Sequence, residues 1–233
     1  MQVMKFGGSS VANAQNINKV IAIVKEALKK DKTVVVSSAI SGCTDTLIKI
    51  GTLASERDES YKTLIDKLQQ RHHDIINELL PREKQNESLA VCDSLFDSLR
   101  SITQGVFLLG ELSPASLDAI QSFGELWSTK ILATKLASIG ISTKWIDSRQ
   151  IIRTVAKGDK NVVDVQKTYY RVNEMVESNR ITQLFVLPGF IASDKQGRTT
   201  TLGRGGSDYT ASLYAVGCKA RILEIWTDVP GMM

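Results

Sequence analysis

The chain has 233 residues, of which 42% are hydrophobic and 23% are charged, a composition that excludes a disordered or fibrous protein. Its formal net charge of +4 is too small to indicate a nucleic-acid partner without a local basic cluster. No run approaches the roughly 20 apolar residues of a membrane span. The three cysteines, Cys43, Cys92 and Cys218, are widely spaced and show no metal-binding pattern. We therefore expect a cytoplasmic globular protein without a nucleic-acid or membrane partner.

Apolar periodicity predicts alternating strands and helices along most of the chain. Short β-branched or apolar runs predict strands at residues 3–6, 33–37, 142–146, 161–163, 184–187 and 221–226. Helical spacing of apolar residues predicts helices at 17–28, 45–53, 165–178 and 207–216, and a long helix from Ser113-Pro114 to just before Gly140. Residues 190–193 and 198–202 are predicted to form a hairpin, and Ser207 to cap the helix that follows.

Residues 54–113 show a different pattern, because two long helical stripes follow one another without a strand between them. This pattern predicts a helical insertion. Its polar faces are expected to carry His72 and His73 in contact with solvent. Adjacent residues on a helix point about 100° apart, so these two histidines are poorly placed to share a metal ion.

The repeated alternation of strands and helices predicts an α/β fold, a three-layer αβα sandwich with a mostly parallel central sheet. Ligands of such sheets bind beyond the carboxyl ends of the strands. The residues that directly follow each predicted strand are therefore the candidates for chemistry.

The first candidate site follows the first strand, where Lys5 precedes Gly7 and Gly8. Two glycines allow backbone N–H groups to close on an anion, and the next helix offers the positive end of its dipole. The segment matches neither the P-loop nor the dinucleotide-binding glycine pattern. After the second strand, hydroxyl residues including Ser38 and Thr44 suit an oxygen-rich ligand, although helix capping explains them equally well.

Glu125 lies on an otherwise apolar side of the long helix, where its carboxylate either faces solvent or answers a buried cation. The glycine-rich segment 203–208 places Arg204, whose planar fork suits a carboxylate or phosphate, between glycines. Ser207 and Asp208 then begin a helix, and Asp208 is suited to orient Lys5 and keep it charged. Thr227 and Asp228 add polar groups after the last strand.

Together these segments offer many donors to anions and one carboxylate for a ligand ammonium. They contain no Ser–His–Asp or Cys–His arrangement. The combination indicates phosphoryl transfer to a small zwitterion, catalysed by positioning and charge neutralisation.

Four segments resemble the motifs of the aspartate kinases, in the order and at the spacing of that family. They are Lys5-Phe6-Gly7-Gly8-Ser9-Ser10-Val11, Ser122-Phe123-Gly124-Glu125, Gly203-Arg204-Gly205-Gly206-Ser207-Asp208 and Trp226-Thr227-Asp228-Val229. The resemblance covers essentially the whole chain and places it in the amino acid kinase superfamily. It implies the reaction ATP + L-aspartate → ADP + 4-phospho-L-aspartate, the step that opens the route to lysine, threonine, methionine and isoleucine.

The resemblance also implies roles for individual residues. Lys5 is similar to the lysine that neutralises the transferring phosphoryl group, and Asp208 to the residue that organises it. The phosphate and nucleotide positions correspond to Gly7, Gly8, Ser9, Thr227 and Asp228. The aspartate positions correspond to Ser38, Thr44, Glu125, Arg204 and Ser207, with Glu125 facing the ammonium and Arg204 a carboxylate. Ser9 stands where the family commonly has threonine, and Mg²⁺ is expected to arrive with ATP.

The family continues beyond the position of Gly231-Met232-Met233 with further nucleotide-binding residues. The resemblance therefore implies that residues 1–233 are a catalytic domain truncated at its C-terminal end. Family members continue into ACT regulatory domains or into a homoserine dehydrogenase, and the sequence fits either parent, in which a homo-oligomer is expected. Two alternatives stay open: a related kinase acting on glutamate, acetylglutamate, carbamate or UMP, and a non-catalytic ligand-binding fragment.

Overall fold

A computed structural model describes residues 1–158 and 160–227 of the chain. Its strands are β1 (Gln2–Phe6), β2 (Thr33–Ser37), β3 (Thr143–Trp145), β4 (Thr154–Lys157), β5 (Lys160–Val163), β6 (Leu184–Pro188), β7 (Ile191–Ser193), β8 (Thr199–Thr201) and β9 (Ile222–Trp226). Its helices are α1 (Ala14–Leu28), α2 (Cys43–Ser55), α3 (Ser60–Leu79), α4 (Arg82–Leu109), α5 (Pro114–Ser138), α6 (Ser148–Ile151), α7 (Val165–Glu177) and α8 (Gly206–Gly217), with a short 3₁₀ helix at Gly8–Val11.

Five strands form one parallel sheet in the order β3-β6-β2-β1-β9. Side chains alternate between the two faces of each strand. Met4 and Val35 accordingly join the core formed with α1, α2 and α5, whereas Val3 and Val34 join the core formed with α7 and α8. Helices therefore cover both faces of the sheet, and the predicted αβα sandwich is confirmed.

The helical insertion consists of α3 and α4, which pack against each other and against α2 and α5. The start of α5 follows the sequence signals, because the Ser113 hydroxyl accepts a hydrogen bond from the Ser116 N–H at 3.1 Å and Pro114 occupies the first turn. None of the helices within the described residues has an apolar stretch long enough to cross a bilayer.

The expectation that both histidines face solvent is wrong for His72, which is fully buried. Its ring packs against Phe96 and Trp127, and its Nδ1 lies 2.7 Å from the carbonyl oxygen of Leu68. Burial lowers the pKa of His72 to about 4, so the ring is neutral at pH 7. The helix α3 contacts α1, α2, α4 and α5, so more of its surface is buried than the single apolar stripe read from its sequence.

Three further differences concern local structure. The strand at 161–163 belongs to the antiparallel hairpin of β4 and β5 and not to the central sheet. The short helix α6 was not predicted. Ser207 lies inside the first turn of α8 and does not cap it, because Gly205, at φ 70°, takes the N-cap position.

Candidate active site

The carboxyl end of β2 is the junction of the site, because residues 37–39 contact three neighbouring elements. The Ser38 N–H donates to the carbonyl of Phe6 on β1 at 3.1 Å, and the Ser37 carbonyl accepts from the Gly189 N–H beyond β6 at 2.9 Å. The Ala39 N–H donates to Oε1 of Glu125 on α5 at 3.2 Å. These bonds gather the ends of β1, β2 and β6 against the middle of α5.

Lys5 lies on the face of β1 that packs on α8. It is only 8% exposed, and its Nζ is 2.7 Å from Oδ1 of Asp208. Asp208 lies in the first turn of α8, where the helix dipole favours a negative charge. The structure therefore places Lys5 and Asp208 in contact, as the sequence predicted.

The Gly7-Gly8 loop lies directly beside this ion pair. A Cβ built on Gly7 would lie 3.6 Å from the Lys5 Nζ, and one built on Gly8 would lie 2.9 Å from the carbonyl oxygen of Ala39. Glycine at position 8 is therefore what allows the loop to approach the end of β2. The backbone N–H groups of Gly8 and Ser9 donate no hydrogen bond within the described residues. They are available to an anion next to Lys5.

Glu125 is 3% exposed on α5. Its Oε1 accepts the bond from Ala39, while its Oε2 is buried without a hydrogen-bond partner among the described residues. Burial raises the pKa of Glu125 to about 8. An ammonium group placed at Oε2 would satisfy the orphaned oxygen and favour the ionised carboxylate.

Ser207 is placed by contact with the end of β6. A Cβ built on Gly189 would lie 2.6 Å from the Ser207 Oγ, so the start of α8 lies against this glycine. The Phe190 N–H donates to Oγ1 of Thr210 at 3.0 Å, which fixes α8 further. Ser207 is thus a neighbour of the β2 junction through Gly189.

Arg204 is exposed on the loop before α8. The flanking Gly203 and Gly205 have φ of 71° and 70°, a conformation that favours glycine. Arg204 forms no hydrogen bond or ion pair within the described residues, so its guanidinium is free for a ligand. The structure does not bring it into contact with Lys5 or Glu125.

The remaining predicted positions lie around the same edge. Ser38 is half-buried, and its carbonyl accepts from Oγ of Ser128 at 2.8 Å; Thr44 is half-buried in the first turn of α2. Thr227 follows β9 and, with Ser9 and other residues, lines a cavity of about 300 Å³. The predicted nucleotide residue Asp228 lies outside the described residues.

Two residues of the site were not predicted from the sequence. Ser128 lies one helical turn after Glu125, a spacing that could have revealed it. Arg71 on α3 donates to the carbonyl of Ser41 at 2.8 Å and to that of Ala12 at 3.2 Å. It thereby joins the loops that follow β2 and β1. Arg71 lies among residues of both charges on α3, a pattern typical of a solvated face, so nothing in the sequence indicated this role.

Replacing Arg71 with glutamine is expected to lower the free energy of unfolding by about 1–3 kcal/mol, because two hydrogen bonds from a charged donor are lost. The exposed Lys67→Gln variant on the same helix removes the same charge and is expected to leave stability unchanged. Urea denaturation measures both. Equal stability of the two variants would show that the Arg71 contacts do not hold the loops.

Comparison with known proteins agrees with these features. Residues 1–233 match the model of the amino acid kinase family. The chain is 32% identical to lysine-sensitive aspartokinase 3 of Escherichia coli, over 99% of this chain and 49% of that protein. It is 31% identical to the chloroplastic bifunctional aspartokinase/homoserine dehydrogenase 2 of Arabidopsis thaliana, over 99% of this chain and 25% of that protein.

The structure is similar to the crystal structure of E. coli aspartokinase III in complex with aspartate and ADP. The TM-score is 0.88 at 30% identity, covering 99% of this chain and 50% of that one. The chain thus spans a quarter to half of the length of these relatives. Because the family model matches its whole length, the chain belongs to the amino acid kinase family, and it is homologous to aspartokinases.

Proposed function

We propose that the chain is the catalytic domain of an aspartate kinase, which transfers the γ-phosphoryl group of ATP to the β-carboxylate of L-aspartate. One observation carries the proposal. At the carboxyl end of β2, Glu125 on α5 has a buried Oε2 without a hydrogen-bond partner among the described residues, while the Lys5–Asp208 pair joins β1 to α8. The site thus offers separate groups for an ammonium and for a phosphoryl group. The complex of a relative with aspartate and ADP supports the same pair of ligands.

The reaction needs no general base, because the β-carboxylate of aspartate, with a pKa near 3.9, is already ionised at pH 7. The task is to bring two anions together. Lys5 supplies a positive charge that Asp208 holds in place, and the free N–H groups of Gly8 and Ser9 supply further donors to phosphate. Catalysis is then positioning and electrostatic stabilisation.

Aspartate is recognised through the two groups that do not react, its ammonium and its α-carboxylate. Glu125 Oε2 accepts a hydrogen bond from the ammonium, and the planar guanidinium of Arg204 binds the α-carboxylate through two hydrogen bonds. The hydroxyls of Ser38, Thr44 and Ser207 line the remaining space. This division leaves the β-carboxylate facing Lys5.

The nucleotide is assigned to the loop of Gly7, Gly8 and Ser9, and to Thr227 and Asp228. Mg²⁺ is assigned to the phosphate oxygens of ATP and to water, the ligands that it usually keeps at such sites. Within residues 1–158 and 160–227 no group of three or more His, Cys, Asp or Glu residues is placed to hold a metal ion.

We assign residues 1–233 to the catalytic part of a longer, homo-oligomeric cytoplasmic protein that begins the route to lysine, threonine, methionine and isoleucine. The relatives it resembles include bacterial aspartokinases and chloroplastic bifunctional enzymes.

A trapping assay tests the function. The chain is incubated with MgATP and hydroxylamine, which converts an acyl phosphate into a stable hydroxamate. Separate reactions contain aspartate, glutamate, acetylglutamate, carbamate or UMP as the acceptor. ADP release is measured in each reaction. We expect that only aspartate, of the five acceptors, leads to ADP release, with aspartyl hydroxamate as the product. Turnover only with another acceptor would assign a different kinase. Binding of neither aspartate nor MgATP in calorimetry would contradict a catalytic role.

The Arg204→Ala variant is expected to raise the KM for aspartate about tenfold or more, because a charge-assisted, bidentate interaction is lost. The thermal midpoint should not change, since Arg204 is exposed and contacts no described residue through a hydrogen bond or ion pair. The exposed Arg82→Ala variant at the start of α4 is the matched control. An unchanged KM in Arg204→Ala would contradict the clamp.

A further inference from the structure

A small cavity of about 100 Å³ lies apart from the predicted site residues, where β4, the N-terminal part of α7 and the loop after β7 meet. Four basic residues line it, namely Arg153, Lys167, Arg171 and Lys195, and among the described residues Asp164 is the one acidic residue of the lining. The volume is well below the roughly 300–1,000 Å³ of pockets that hold drug-sized ligands. A ligand enclosed here is therefore a single small group.

Arg153, which lines this cavity, has one donor atom without a hydrogen-bond partner among the described residues. Its Nη1 donates to Oγ of Ser193 at 2.6 Å and to the carbonyl of Asp194 at 3.2 Å. Its Nε is buried, with no acceptor among the described residues. Burial and the neighbouring Arg171 lower the pKa of Arg153, as expected where like charges meet.

Each of the two carboxylates at or near the cavity has another partner. Asp164 caps α7 by accepting from the backbone N–H of Lys167 at 3.1 Å, and Asp194 pairs with Arg198 at 2.7 Å. None of the four basic residues forms an ion pair within the part of the chain that the structure describes. The four cations of this small cavity thus outnumber the one carboxylate that lines it within the described residues, and the start of α7 adds the positive end of its dipole.

We propose that this cavity binds one free oxyanion of the phosphate class. Such an ion is small enough for the cavity, and its negative charge would balance the basic residues of the lining. Its oxygens can accept hydrogen bonds from Arg153 and Arg171 together. Because Arg153 also holds Ser193 and Asp194, a bound ion would connect α7 to the β7–β8 hairpin. That hairpin leads into the loop that carries Arg204.

Calorimetric titration with inorganic phosphate at constant ionic strength tests the site. The titration uses the Lys5→Ala background, which removes the lysine from the proposed phosphate position at Gly7-Gly8. We expect one saturable site, and a shift of the Arg153 Nε–H signal in ¹H–¹⁵N spectra that follows the binding curve. Adding Arg171→Gln, or separately Lys167→Gln, should weaken binding about tenfold or more.

Arg180→Gln is the matched control, because Arg180 is exposed just after α7 and pairs with Glu177. It should change the phosphate affinity less than twofold. Absence of saturation, or an Arg153 signal that does not move, would overturn the proposal. So would equal weakening by Arg180→Gln and Arg171→Gln, which would show a general surface potential and no defined site.

Discussion

Replacing Lys5 with alanine is expected to lower kcat for aspartate phosphorylation by at least about 10²–10³-fold, the usual cost of removing one preorganised group that stabilises the charge of a transition state. The fold should survive, because the Asp208 side chain left behind is 46% exposed and can be hydrated. Initial rates and thermal unfolding of the variant measure the two effects separately.

The exposed Lys25→Ala variant on α1 is the control for this prediction, since it removes the same charge far along the helix from the glycine loop. Its kcat should equal that of the unchanged chain. A wild-type kcat in Lys5→Ala would remove Lys5 from the mechanism and, with it, the assignment of the phosphoryl position.

The second large effect is expected at Glu125. The Glu125→Gln variant should raise the KM for aspartate at least about tenfold, because a neutral amide cannot balance the ammonium of the ligand. Glutamine has nearly the same shape and can still accept from Ala39, so the ligand-free chain should remain folded. Glu78→Gln, an exposed substitution on α3, is the matched control.

The same residue predicts a pH dependence. Burial raises the pKa of Glu125 from an ordinary 4.5 to about 8 in the ligand-free fold, so the folded state binds more protons than the unfolded state. This contribution to stability is complete below about pH 4.5 and is lost as the pH rises through about 8. The ammonium of aspartate requires the ionised form, so affinity for aspartate should rise toward about pH 8.

Calorimetry in buffers of different ionisation enthalpy measures the linked proton. Near pH 7 we expect aspartate binding to release a proton from Glu125, and the Glu125→Gln variant to release none. Binding without proton release in the unchanged chain, together with an unchanged affinity in the variant, would show that the ammonium binds elsewhere.

The sheet was predictable because its strands are short runs of apolar or β-branched residues. β1, β2 and β6 are buried along their whole length, whereas the edge strands β3 and β9 are partly exposed. β1, β2, β6 and β9 all lie within one or two residues of their predicted bounds. The contact between Lys5 and Asp208 was also anticipated, since the parallel-sheet rule places a residue near the end of a strand beside the start of a covering helix.

The insertion was less predictable, because its contacts depend on how helices pack in three dimensions. His72 and Arg71 are adjacent on α3, yet one is fully buried and the other reaches two loops of the site. Helical periodicity identifies an apolar stripe but not which further faces another helix will cover. The β4–β5 hairpin was not predicted for a related reason, since the sequence pattern of one strand does not indicate which other strand it pairs with.

The most direct test of the account is a crystal structure of this chain with aspartate and ADP. We predict that the ammonium nitrogen of aspartate lies about 3 Å from Oε2 of Glu125. The terminal phosphate of ADP should lie against the Gly8 and Ser9 N–H groups beside Lys5. Aspartate bound away from Glu125, or ADP phosphates remote from this loop, would contradict the proposed convergence of the strand ends on one site.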